Sequence, residues 1–529
     1  MSTDCINYQD SGYFTKLMVD YLNQSPELSP LYNRFPKLEN FKDQLLEKGA
    51  NFSMEHRNVL VSALNKQYQD TALSESTQHN INSLKSENTF TITTGHQLNL
   101  FTGPGYFLYK IFSVINLSEK LNKTHTDKHF VPVYWMATED HDFDEINHFS
   151  FRDKIISWPK NASGPVGRLD TQGLDEVFKM FEKEIGVGKK AEEIKNLFVE
   201  GYLKHDNLTA ATRHIANALF SSYGLVIIDG DDRDLKKLFA PIVKKELLEE
   251  FSQKNVLTSI QLLKDYHVQV NPRELNLFYI QDGLRERIVK EAGVFQVLHT
   301  ELKFTEEDIL KVLEATPEVF SPNVILRPVY QECILPNLCY VGGGGELAYW
   351  LELKNNFDAL NITFPMLLLR DSVLLVTAKQ ANKIKKLNLS YSDLFLKQDV
   401  LIGQQTKFLA DQSLDFKLLE NQLKLQFETL KAKVEQTDAS FKNALDAQET
   451  KQLKGLNNLE KRWYKAEGKR NEEALNRIKR LQYELFPNGS LQERKQNFAS
   501  FYIDSEQDLL QILKDNLDPL EAKFKIVEI

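Results

Sequence analysis

The 529-residue chain has little cysteine, no surplus of positive charge and no long apolar run. Its three cysteines, Cys5, Cys333 and Cys339, form no C-x-x-C pair and no metal knuckle. So few in so long a chain suit a reducing cytosol without a disulfide framework. The formal net charge of −9 disfavours a protein built to hold nucleic-acid phosphates, which carries a basic surplus or stripe. The nearest basic stretch, Lys461–Arg480, is interleaved with acids. No stretch approaches the roughly 18 apolar residues that span a bilayer, and "MSTDCINYQDSGYF" lacks the basic start and apolar core of a signal peptide. A cytoplasmic chain with no membrane and no nucleic-acid partner is expected. Neither G-x-x-x-x-G-K-[ST] nor G-x-G-x-x-G occurs, so no common phosphate-loop signature is present.

What is present is an α/β pattern. Residues 1–86 read as a mostly helical lead-in punctuated by Pro26, Pro30 and Pro36. From residue 87 to 385, short apolar runs alternate with helical segments: "FTITT", "FVPVYWMAT", the strand Leu225–Ile228 in "YGLVIIDGDDRDLKKLFAP", "NVILRPVYQ" and "PMLLLRDSVLLVT". Buried strands separated by helices predict a Rossmann-type parallel sheet, with more polar insertions at about 160–220 and 240–320. After 385 the texture is helical. Leu423, Phe427, Leu430, Val434, Thr437, Phe441, Ala444 and Gln448 follow steps of four and three, a heptad seam. A turn near 446–455 and a second helix ending at the "PNG" of 487–489 make residues 386–488 an antiparallel coiled-coil hairpin. Such a hairpin suits dimerisation or bracing, with a substrate-binding arm as the alternative. Residues 489–529, ending "KFKIVEI", are expected to pack back on the core.

Three stretches could carry chemistry. "TFTITTGHQLNLFTGPGYFLYK" turns from a strand into an almost uncharged helix. At a strand's carboxyl end in an open sheet, Thr94, Gly95, His96, Gln97, Thr102 and Gly103 could bring backbone and donors to an anion; the alternative is a tight connection with the histidine bonded in place. "VPVYWMATEDHDFDEINHF" runs straight into Glu139, Asp140, His141, Asp142 and Asp144. Such crowding is costly unless something cationic binds; a surface acidic turn is the alternative, and a metal site through His141 and His148 has no diagnostic spacing. "YVGGGGELAYWLELK" places Gly343, Gly344, Gly345 and Glu346 at a helix start. Arg327, Gln331 and Arg370 sit in apolar surroundings where a guanidinium needs an anion, either a ligand or an internal partner.

Six segments in order resemble one family: "TGHQLNLFTGPGYFLYK", "PVYWMATEDHDFDEI", "GLVIIDGDDRDLKKLFAP", "LRPVYQECILP", "YVGGGGELAYWLELK" and "LQER". Together they are similar to the cysteine ligases of bacillithiol biosynthesis, known as BshC, over almost the whole chain. Where Bacillus-type members look like T-G-Q-Q, this chain has Thr94-Gly95-His96-Gln97, so a donor role carries over at position 96 rather than imidazole chemistry. The resemblance implies a Rossmann-type core with connecting-peptide insertions, related to class I cysteinyl-tRNA synthetases, and a homodimer through the coiled coil. It also implies the substrates L-cysteine and glucosaminyl malate, with ATP/ADP as the activating nucleotide. The H-I-G-H and K-M-S-K-S signatures of class I enzymes are absent, and the need for a metal is left open. On this reading the turns at 95–105 and 342–346 hold phosphate. Arg327 and Arg370 grip the malate dicarboxylate, and the cluster at 139–142 holds and deprotonates the sugar ammonium, with His141 a candidate base.

Overall fold

The structure is a computed structural model that describes residues 3–410, 414–434 and 439–529. The chain divides into two compact units, residues 1–377 with 490–529, and residues 378–489.

In the first unit five strands form a parallel sheet: β1 (Thr89–His96), β2 (His129–Met136), β3 (Val226–Asp229), β4 (Asn337–Gly342) and β5 (Met366–Leu369), in the order β5-β4-β1-β2-β3. Both faces are covered, so the strands are buried along their length rather than on alternate residues: β2 is buried from Phe130 to Met136, and the threonines of β1 are buried beside Phe90 and Ile92. The helix α1 (Tyr106–Thr124) crosses from β1 to β2 and buries Phe107, Ile111, Phe112 and Ile115, and α2 (Arg233–Glu249) follows β3. The chain adds β2 and β3 on one side of β1, then crosses to add β4 and β5 on the other. That reversal opens a crevice beyond the carboxyl ends of β1 and β4, where open α/β sheets bind ligands.

Two expected strands come out differently. "PMLLLRDSVLLVT" breaks at Arg370–Asp371 into β5 and Ser372–Val376, and the latter joins a separate sheet with the terminal strands Thr3–Asn7 and Lys523–Glu528. "NVILRPVYQ" is not a strand: Arg327–Ile334 is the helix α3. Pro328 lies in its first turn, where a missing N–H costs nothing. Asn323 starts the turn by accepting from the backbone N–H groups of Ile325 and Leu326 at 2.9 and 3.3 Å.

Of the inserted segments, 160–220 contributes the helices Leu174–Ile185, Lys189–Phe198 and Leu208–Phe220. The later one builds an antiparallel sheet from Leu277–Gln281, Leu284–Glu291, Val294–Val297, Lys303–Phe304 and Phe320–Pro322.

The second unit contains α5 (Phe416–Lys433), α6 (Ala439–Arg470) and α7 (Glu472–Leu485). Lys431 of α5 meets Asp446 and Glu449 of α6 at 2.7 and 2.5 Å. The turn expected near 446–455 therefore does not exist; that stretch lies inside an unbroken helix. It lacks apolar periodicity, which reads as loop, yet its residues are good helix formers and Gly455 alone costs only about 1 kcal/mol. Of the expected seam, Phe427 is buried while Leu430 and Phe441 are exposed; Thr437 lies outside the described residues.

Two buried carboxyls make the first unit sensitive to pH. Asp371 accepts from the Ser113 hydroxyl at 2.8 Å, and Glu352 accepts from the backbone N–H groups of Gln269 and Val270 at 2.7 and 3.2 Å. Burial pushes each carboxyl up to about 7, against about 4 in an unfolded chain. The folded state then binds more protons than the unfolded state between those values, so this contribution is full below about pH 4 and is lost as pH rises through 7. Thermal unfolding should show stability falling by about 3–5 kcal/mol from pH 5 to 8 for the two groups together, with a shallower slope for Asp371→Asn. An unchanged slope would remove Asp371 from this account.

Candidate active site

Beyond the carboxyl ends of β1, β2 and β4 lies a cavity of about 470 Å³. Its floor comes from Gly95–Gln97 and Trp135–Asp142; one wall comes from Arg327, Tyr340, Glu346 and Tyr349, and the other from Phe278, Arg285 and Pro322 of the inserted sheet.

Gly95 is the point of closest backbone approach. A Cβ there would sit 3.0 Å from the Tyr340 hydroxyl and 3.9 Å from the Arg327 guanidinium, so glycine leaves room for an anion beside both. Lys110, one turn into α1, is buried; it donates to the Gly95 carbonyl at 2.7 Å and pairs with Glu346 at 2.5 Å. Burial pulls the Lys110 ammonium below its usual range, opposed by Glu346. The second oxygen of Glu346 accepts from the Tyr340 hydroxyl at 2.9 Å.

Arg327 projects from α3 into a ring of aromatics, its guanidinium carbon 5.8 Å from the centre of Tyr340 and 6.0 Å from those of Trp135 and Trp350. It donates to Gln331 at 3.0 Å and to the Tyr349 hydroxyl at 3.4 Å, and among the described residues no carboxylate lies within ion-pair distance. A half-buried guanidinium with neutral partners only is poised for an anion.

The opposite end is acidic, and its four members differ. Glu139 is buried and paired with Lys236 at 2.6 Å, and Lys236 also meets Asp231 at 3.2 Å. Burial raises the Glu139 carboxyl against the pull of Lys236. Asp140 accepts from Gln97 at 2.9 Å and from the backbone N–H of His141 at 2.8 Å. The Nδ1 of His141 is 2.6 Å from the Arg285 guanidinium. Among the described residues the Asp142 carboxylate accepts no hydrogen bond and forms no pair with Lys or Arg, with the Nε2 of His141 at 4.0 Å. Burial, with Asp140 and Glu145 nearby, raises it above the usual carboxylate range despite the opposing His141 and Arg285.

Not every expected site residue reaches the cavity. Thr94 binds the Val341 carbonyl at 2.7 Å and ties β1 to β4. Thr102 and Gly103 belong to the turn, where Phe101, Thr102 and Gly103 have φ of 48°, 67° and 65°. At Gly103 a Cβ would collide with Asn99 at 2.6 Å. His96 touches the cavity edge but is held by the Thr102 carbonyl at 3.4 Å and packed on Phe107, and burial drives its pKa well down. Gln331 is wholly buried and reaches the site only as the acceptor of a hydrogen bond from Arg327. Gly343, Gly344 and Gly345 line none of the cavity, and Gly343 caps the helix α4 (Gly344–Leu351) with ordinary extended geometry. Glu346 puts a carboxylate in the first turn of α4, which opposes a phosphate there. His148 bonds Asn147 at 3.1 Å, outside the cavity.

Arg370 is also elsewhere. It pairs with Glu493 at 2.7 Å and donates to the Asp371 carbonyl at 2.7 Å and to Ser372 at 3.2 Å, with both members of the pair buried. Its anion is internal, so the grip on a dicarboxylate expected of it is not available. Conversely, Tyr106, Lys110, Trp135, Arg285 and Tyr340 line the cavity without having been singled out. A lone lysine in the apolar run "YFLYKIF" was a legible signal; Arg285, in a polar hairpin, carried none.

Residues 1–371 match the N-terminal Rossmann-like domain of BshC of bacillithiol biosynthesis, and residues 373–529 match its C-terminal coiled-coil domain. The chain belongs to the BshC family. It is 56% identical to a Flavobacterium johnsoniae protein named "Putative cysteine ligase BshC" over 529 residues, covering all of both chains. A Flavobacterium psychrophilum protein of that name is 55% identical over the same length, again all of both chains. The namesake from Staphylococcus carnosus is 28% identical over 507 residues, which cover 91% of this chain and 92% of that one. The parallel-sheet core and the helical second unit agree with the two domain descriptions. Among the described residues, no helix is long and apolar enough to cross a membrane.

Proposed function

We propose that the chain joins the carboxyl of L-cysteine to the amine of glucosaminyl malate, the last step in forming bacillithiol. The observation that carries this reading is the polarity of one cavity: Arg327, without a carboxylate partner among the described residues, stands at one end and the acidic turn at the other. A substrate with a dicarboxylate at one end and a sugar ammonium at the other matches it. Arg327 binds a malate carboxylate through its donor fork. Asp142 receives the proton that the ammonium gives up as its nitrogen attacks the cysteine carbonyl. Glu139 is committed to Lys236, Asp140 to Gln97, and the His141 Nδ1 to Arg285, which leaves Asp142 as the acceptor.

A free carboxylate lacks a leaving group, and ATP would supply one. The open face of Gly95 beside Arg327 fits the approach of a phosphate, with Lys110 near. We place the chain in the cytoplasm, without nucleic-acid partners, as a homodimer through its coiled coil. Leu418, Leu425, Phe441 and Leu459 are all more than half exposed there and supply apolar surface for a second copy.

The test is a thiol profile of cells lacking this gene, restored with wild type or Asp142→Asn. Loss of bacillithiol with build-up of glucosaminyl malate, cured by wild type and not by Asp142→Asn, is expected. Unchanged bacillithiol in the deletion would sink the ligase reading.

A further inference from the structure

Arg285 stands apart from the rest of the site. It comes from the inserted antiparallel sheet rather than from the parallel core. Its guanidinium lies 4.1 Å from the ring centre of Phe278, donates to the Pro322 carbonyl at 3.3 Å and approaches the Ser321 hydroxyl at 3.5 Å. Three contacts from its own sheet thus aim it at the acidic turn. Although Glu139, Asp140 and Asp142 all act on it, among the described residues it forms no ion pair with any of them. Its short contact is instead with an imidazole nitrogen, the Nδ1 of His141, at 2.6 Å.

Arginine has five N–H donors and no acceptor. A contact of this length therefore has one assignment: Nδ1 accepts, and the ring's proton resides on Nε2. Phe278 supports the same orientation, its ring centre 5.6 Å from that of His141. The Nε2 edge is turned toward Asp142, whose carboxylate is 4.0 Å away. The second nitrogen is thus beside the carboxylate left free for the substrate amine.

We propose that Arg285 is a positioning residue that holds His141 as a hydrogen-bond donor through Nε2, directed at a substrate oxygen next to Asp142. The inserted sheet thereby decides what the histidine of the acidic turn can do. With Nδ1 capped, His141 cannot serve as a base through that nitrogen, and with a proton on Nε2 it cannot serve through the other. The part played by the substrate oxygen rests on the ligase reading above; the orientation of the ring does not.

The test is nitrogen NMR of the full chain labelled at histidine, with the His141 signals assigned by their loss in His141→Gln. Wild type is expected to show the Nε2–H tautomer at His141. Arg285→Met should turn this into a mixture of tautomers, and Arg285→Lys, which also only donates, should restore it. A wild-type Nδ1–H signature, or the same single tautomer in wild type and in Arg285→Met, would overturn the proposal; the first of these stands even if Arg285→Met fails to fold. The outcome is separable from the ligase reading. Unaltered tautomers together with lost bacillithiol in the deletion strain would defeat the positioning role alone. The expected tautomers together with unchanged bacillithiol would defeat the ligase reading while leaving Arg285 as the holder of His141.

Discussion

Arg327→Met should weaken the binding of glucosaminyl malate about ten- to a hundredfold. The guanidinium is ringed by Trp135, Tyr340 and Trp350 and, among the described residues, hydrogen-bonded only to Gln331 and the Tyr349 hydroxyl, so the ligand carboxylate would be its one directly bonded anion. Hydrogen bonds to charged groups contribute about 1.5–3 kcal/mol, and each 1.4 kcal/mol is roughly tenfold in affinity. Methionine keeps much of the volume and removes the fork, so packing against the aromatics should survive. Calorimetric titration of wild type and variant measures the difference. A matching glucosaminide without the malate carboxylates should bind both proteins alike. Equal affinity of the two proteins for glucosaminyl malate would reject the carboxylate role and, with it, the orientation of substrate in the cavity.

The second large effect concerns the other arginine. Glu493→Ala should cost about 3–5 kcal/mol of stability, because it leaves the Arg370 charge buried without its partner. Glu493 accepts from Arg370 at 2.7 Å, from Ser372 at 3.2 Å and from the backbone N–H of Val373 at 2.9 Å. It thus fastens the "LQER" segment to the strand that follows β5. Replacing both charges, Arg370→Met with Glu493→Leu, should recover much of the loss, since a buried ion pair gains little over well-packed apolar groups. Urea unfolding of wild type and the two variants decides it. If Glu493→Ala were as stable as wild type, the pair would not be structural, and Arg370 would return as a ligand group.

The two arginines show where reading the chain in one dimension stops. Both were legible as cations in apolar surroundings that require an anion. Which anion each one has depends on Glu493, 123 residues away from Arg370, and on the absence, among the described residues, of a carboxylate within ion-pair distance of Arg327. The glycines at 343–345 illustrate the same limit. A run of glycines before a helix suggests an anion cradle, but here Glu346 occupies the first turn and pairs with Lys110 across the crevice. In the second unit the heptad pattern marked Leu423–Leu430 and Phe441–Gln448 as helical, and both stretches lie in helices. It misplaced their break, because a stretch with no apolar spacing looks like a loop whenever helix formers lie on a solvated face.

What the sequence by itself determined is most of the local choices: the buried runs that become β1, β2, β3 and β5, the helix between β1 and β2, and the acidic turn at the end of β2, but not the strand or helix state of "NVILRPVYQ". Strand and helix formation depend on residues close in the chain, and their periodicity is written there. The six ordered segments also carried the family. Only the tertiary structure decided the site. The crevice exists because the strand order reverses beside β1; its cationic end joins α1, α3 and α4, and its acidic end is completed by Arg285 from an inserted sheet more than a hundred residues downstream. Charges find their partners through space, and the energy of a buried ionisable group is set by what surrounds it rather than by what precedes it in the chain.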